Sequence, residues 1–121
     1  MTKGQMEAKI SEAVSRFEVE YMGRGPTSIR TYISNDMIIV RLKGFMSPSE
    51  KKLTENFQGI ELFKKLRSSL FEAGRGYLET LIEEISNVAI ISTHSDISTK
   101  TGEKIIIMIA DRNLEETFSA K

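Results

Sequence analysis

The sequence predicts an α+β fold: a four-stranded antiparallel sheet made from two β-hairpins, with helices packed on one face in α-ββ-α-ββ-α order. Three observations predict it. A helical apolar stripe opens the chain, β-rich runs flank Asn35-Asp36, and a second pair of such runs brackets Lys100-Thr101-Gly102. With 121 residues, 1–121 is expected to be one domain.

The first helix spans about Gly4 to Met22, because Met6, Ile10, Ala13, Val14, Phe17 and Tyr21 recur at spacings of three and four. Gly23 is its natural C-cap, and Pro26 forbids continuation. Ser28 to Ser34 and Met37 to Lys43 then pair across a two-residue turn, which sets Arg30 opposite Arg41 and Tyr32 opposite Ile39. Ile29, Thr31, Ile33, Ile38, Val40 and Leu42 share the core face, so turn chemistry and alternation agree on the register.

Ser47-Pro48-Ser49-Glu50 starts a helix with a cap, a first-turn proline and a capping-box glutamate. Its apolar stripe is read as Leu53, Phe57, Ile60, Phe63, Leu66, Leu70, Tyr77, Leu81 and Ile85. Unbroken to Ser86 it would run about 58 Å, against a radius of gyration of about 13–14 Å. A break at Gly74-Arg75-Gly76 is therefore expected. In the second hairpin a three-residue loop ending at Gly102 puts Ile97 opposite Ile105, His94 near Met108 and Asp96 near Ile106. That register turns Thr93, Ile97, Ile105, Ile107 and Ile109 toward the helices, and Ser92, His94, Asp96, Ile106 and Met108 away. Residues 112–121 form at most a short helix.

Lys plus Arg number 17 and Asp plus Glu number 17, so no global field steers the chain to nucleic acid, and no nucleic-acid partner is expected. Lys64, Lys65, Arg67 and Arg75 are read as a solvated helix face. The absence of cysteine excludes disulfides, thiol nucleophiles and cysteine metal sites. No transmembrane segment and no secretory signal are evident, and a cytoplasmic protein is expected.

The candidate binding surface is the sheet face away from the helices, where Arg30, Tyr32, Arg41, His94 and Asp96 are expected together. Arg30 opposite Arg41 is a repulsive pair that needs a neutraliser, either Asp96 or a helix carboxylate, or else an anionic ligand. Ile39, Ile106, Met108 and Tyr32 are expected to form an apolar patch on the same face, which suits a homodimer interface. His94 and Asp96, two apart on a strand, could begin a metal site or an acid–base dyad. There is no other histidine and no cysteine, and no nucleophile with an obvious partner stands out, so a histidine held by its neighbouring aspartate is the plainer reading. No catalytic residue, metal or cofactor is assigned. Gly23-Arg24-Gly25-Pro26 is read as a turn, and Lys100-Thr101-Gly102 and Ser49-Glu50-Lys51-Lys52 as chance matches to motifs of the penicillin-recognising enzymes.

Tyr21-Met22-Gly23-Arg24-Gly25-Pro26, Asn35-Asp36-Met37-Ile38-Ile39-Val40-Arg41-Leu42 and His94-Ser95-Asp96-Ile97-Ser98-Thr99-Lys100-Thr101-Gly102-Glu103 resemble the MpsC family of small bacterial proteins. That family is named for a cation-translocating, membrane-potential-generating system also linked to bicarbonate uptake. The resemblance implies a non-enzymatic accessory or regulatory protein with a protein partner in a membrane transport system. A small-anion binding module at Arg30 and Arg41 is the first alternative, and an enzyme using His94 and Asp96 the second.

Overall fold

A computed structural model of the chain describes residues 1–118. It contains α1 (Lys3–Met22), β1 (Ser28–Ser34), β2 (Met37–Lys43), α2 (Pro48–Leu53), α3 (Phe57–Ser86), β3 (Ile90–Ser98) and β4 (Glu103–Ala110). A 3-10 turn over Leu114–Thr117 follows, and residues 119–121 of the expected tail lie outside the described residues. The strands form one antiparallel sheet in the order β1-β2-β4-β3. The α+β fold and the two merged hairpins are as the sequence predicts.

Local chemistry explains the element ends. Thr2 and Gln5 form a capping box at the start of α1, and Gly23 ends it at φ 85°, where a side chain would be strained. Ser47 and Glu50 form a second capping box, with Pro48 in the first turn of α2. Asn35 takes φ 56° in the first turn, and every predicted pair of β1 and β2 is present, Arg30 with Arg41 included. α1 buries Met6, Ile10, Ala13, Val14 and Phe17 as its periodicity predicts, although Tyr21 is exposed.

The long helix departs from expectation. It breaks at residues 54–56 rather than at Gly74-Arg75-Gly76, and α3 is continuous through both glycines. Asn56 caps α3 by accepting from Gly59 N, and a Cβ on Gly59 would lie 1.7 Å from the Leu53 carbonyl oxygen. Gly74 is a packing notch, since a Cβ there would lie 2.6 Å from Tyr21 Cδ2 and 2.8 Å from Phe17 Cε1. It lets α1 approach α3 closely enough for Phe17 to meet Phe71 edge-on at 6.0 Å. The buried row of α3 is Gly59, Phe63, Arg67, Phe71, Gly74, Leu78, Ile82 and Ser86. Of the predicted stripe only Phe63 is buried, whereas Leu53, Phe57, Leu66 and Tyr77 are exposed. Apolar periodicity missed this face because four of its eight members are glycine, serine or arginine.

The second hairpin also differs. Its loop has four residues, Ser98 pairs with Glu103, and Ile97 lies opposite Lys104 rather than Ile105. His94 accordingly pairs with Ile107 and Asp96 with Ile105. The one-residue slip inverts β4: Lys104, Ile106, Met108 and Ala110 are buried against the helices, while Ile105, Ile107 and Ile109 turn outward half-buried. The predicted facing of β3 stands. Gly102 still supplies the left-handed residue, at φ 72°. Alternation could not choose the register, because Ile105 to Ile109 are apolar at both parities.

Candidate functional site

Two regions concentrate chemistry, one on each side of the sheet. On the outer face the observed registers align the strands into cross-strand rows. Arg30, Arg41, Ile105 and Asp96 form one row, and Tyr32, Ile39, Ile107 and His94 form the next. Ser34, Met37, Ile109 and Ser92 form a third. All five candidate residues thus occupy outer-face positions, with a half-buried apolar strip of Met37, Ile39, Ile105, Ile107 and Ile109 along the two central strands.

The charges there are matched differently from expectation. Arg41 Nε donates to Glu103 of β4, not to Asp96 or a helix carboxylate. Arg30 lies with its guanidinium carbon 5.7 Å from the Tyr32 ring centre, a cation–π distance. The pairing of His94 with Asp96 does not form. His94 Nε2 is 3.2 Å from Ser92 Oγ, whereas Asp96 accepts from Ile97 N and lies 3.5 Å from Lys64 of α3. Among the described residues no group of three or more His, Asp or Glu side chains is placed to hold a metal ion.

The helix-covered side holds a cluster absent from the sequence reading. Glu18 of α1, Arg67 of α3 and Lys104 of β4 are all buried. Lys104 Nζ donates to Glu18 Oε2 at 2.7 Å and sits 4.9 Å from the Phe71 ring centre. Arg67 Nη1 donates to the Met22 carbonyl at 3.2 Å and lies 4.0 Å from Glu50. Its guanidinium carbon lies 5.0 Å from the ring centre of Phe45 and 5.8 Å from that of Phe63. Burial holds the Lys104 ammonium below its ordinary pKa; Glu18 offsets part of that effect, and the neighbouring Arg67 charge adds to it. Three polar atoms in the cluster have no hydrogen-bond partner: Glu18 Oε1, Arg67 Nε and Arg67 Nη2. A cleft of about 220 Å³ adjoins the cluster, with Lys64, Arg67, Ser68, Phe71, Ile97 and Lys104 among its lining.

Arg67 is therefore no part of a solvated helix face. A sequence signal for it exists: it stands four residues after Phe63 and four before Phe71, in one row of α3. Lys104 likewise alternates with Ile106 and Met108 once the register is known. Glu18 gives a weaker signal, four residues from both Val14 and Met22 on the buried side of α1.

A family described as "Na+-translocating membrane potential-generating system (MpsC)" matches residues 2–112. The chain belongs to the MpsC family. Among similar proteins, the uncharacterized protein YbcI of Bacillus subtilis (strain 168) is 36% identical over 117 residues, covering 97% of this chain and 94% of its own. The uncharacterized protein YrhF of the same organism is 23% identical over 113 residues, covering 93% of each. No solved structure matches. Among the described residues no helix is long and apolar enough to cross a membrane.

Proposed function

We propose that this MpsC-family protein is a non-enzymatic accessory or regulatory component of a membrane-potential-generating transport system, working as a homodimer through the outer sheet face. The observation that carries this reading is the order of the row Arg30, Arg41, Ile105, Asp96 across that face. It is basic on β1 and β2, apolar on β4 and acidic at the β3 edge, with the ion pair to Glu103 matching the Arg41 charge. A two-fold axis parallel to the strands, lying between two stacked sheets, brings each row over its own reverse. Arg30 then faces Asp96 of the partner subunit, and Ile39 faces Ile107 of the partner subunit. A closed symmetric pair makes the face self-complementary, as an isologous interface requires. Aligned sheet packing about 10 Å apart buries the isoleucine strip.

Neither alternative is favoured by the geometry. Arg41 is already matched by Glu103, which weakens an anion site at Arg30 and Arg41. His94 and Asp96 turn to different partners, which weakens an acid–base pair.

The test is mass in solution. Light scattering across a concentration series is expected to show a dimer, and Ile107→Glu a monomer with unchanged circular dichroism. A wild-type protein that stays monomeric at high concentration overturns the dimer. For the cellular role, loss of the protein in its parent organism is expected to lower the potential reported by a potential-sensitive dye. Wild-type protein should restore that signal, and an unchanged potential after its loss overturns the role.

A further inference from the structure

We propose that the cleft between α3 and the β3–β4 ribbon binds a small organic carboxylate, seated on the free edge of Arg67. The site lies on the helix side of the sheet and meets the outer face only at Asp96 on the β3 edge, and it rests on three observations.

The first is an imbalance of charge. Two buried cations, Arg67 and Lys104, share the single fully buried carboxylate of Glu18. Glu50 approaches Arg67 only to 4.0 Å and is partly exposed. Glu18 also stays 4.0 Å from Arg67. Poorly compensated buried charge is costly, so a carboxylate in direct hydrogen-bond contact is what Arg67 lacks. The acidic groups at the cleft mouth do not supply it. Glu72 bonds Arg75 at 2.9 Å, and Asp96 is drawn to Lys64.

The second is the geometry of the unused donors. Nη1 of Arg67 is taken by the Met22 carbonyl, whereas Nε and Nη2 make no hydrogen bond, Nη2 lying 4.0 Å from Glu18 Oε1. Those two nitrogens form one edge of the planar guanidinium, with parallel N–H groups spaced for the two oxygens of a carboxylate. Phe45 and Phe63 hold the guanidinium in place, so the fork is set before a ligand arrives. Neither nitrogen is open to solvent, and seating an anion therefore requires a local side-chain shift.

The third is the wall of the cleft. Phe71 and Ile97 line it beside Ser68, giving an apolar surface next to the charged floor. A carbon-bearing monoanion uses both, whereas inorganic phosphate would leave the apolar wall unused and bring excess charge.

The experiment is a thermal-shift titration of the full chain with sodium propionate, against sodium chloride at equal ionic strength and against sodium phosphate. At a hundredfold excess over Kd, propionate is expected to raise Tm by roughly 10 °C. Ser68→Phe fills the cleft from an exposed position without removing a charge of the cluster. It should keep the wild-type Tm in chloride and lose the propionate shift. The Arg67 Nε–H resonance should move with propionate in the wild type alone. Absence of a saturable shift, as expected if water alone bridges Arg67 and Glu18, overturns the site. So does an equal shift in Ser68→Phe, and phosphate acting as strongly as propionate overturns the ligand class.

Discussion

The two ends of the helix-covered core are built on different physics. Toward the start of α1 and the end of α3, Ile10, Val14, Leu78 and Ile82 are fully buried, and none of these four needs a polar partner. Toward the end of α1 and the start of α3, Glu18, Arg67 and Lys104 are buried among Phe45, Phe63 and Phe71. The apolar end is held by removing hydrocarbon from water, a sum in which each side chain contributes separately. The charged end is held by mutual compensation, so its members stand or fall together. Removing one part should therefore cost about as much as deleting a large apolar side chain, but for a different reason.

The largest effect is expected from Glu18→Ala, which leaves Lys104 and Arg67 buried without their carboxylate. Urea denaturation should show a loss of about 3–5 kcal/mol. A loss below about 1 kcal/mol would mean that the cations escape to water, and the contrast between the two ends would collapse. At the apolar end Leu78→Ala should cost about 2–5 kcal/mol through lost transfer energy and a cavity. The two deletions separate on double substitution. Glu18→Ala combined with Lys104→Met should recover part of the charged-end loss, whereas Glu18→Ala combined with Leu78→Ala should be nearly additive.

A smaller effect is expected between the two ends, where Gly74→Ala forces a methyl against Phe17 and Tyr21. Overpacking of this kind costs about 1–3 kcal/mol, visible as a lower Tm. An unchanged Tm would show that the α1–α3 contact yields. The smallest effect is a pH dependence confined to the charged end. The folded pKa of Lys104 lies below its ordinary value of 10.5, so the unfolded chain binds more protons between the lowered value and 10.5. Stability contributed at this site therefore rises with pH across that window. Lys104→Met should flatten the rise, and matching alkaline profiles for the two proteins would refute the assignment.

How far the sequence could be read depended on whether two local signals agreed. In the first hairpin Asn35-Asp36 and the alternation of Ile33, Ile38 and Val40 point to one register, and that register is present. In the second, Lys100-Thr101-Gly102 allowed loops of three or four residues, and the isoleucines of β4 are apolar whichever way they face. The outer-face positions of Arg30, Tyr32, Arg41, His94 and Asp96 were legible because β1 and β2 alternate and Ile97 sets the parity of β3. Their partners were not, since Glu103 reaches Arg41 across sixty-two positions of sequence.

The sequence by itself determined the class of fold, the capped ends of α1 and α2, and the first hairpin, because each follows from interactions within a few residues. Only the tertiary structure decided that Gly74 is a notch instead of a break, which way β4 faces, and that Glu18 meets Lys104. That last contact joins residues eighty-six positions apart. Local propensity carries no information about such a meeting, and a buried charge looks like a surface charge until its surroundings are folded around it.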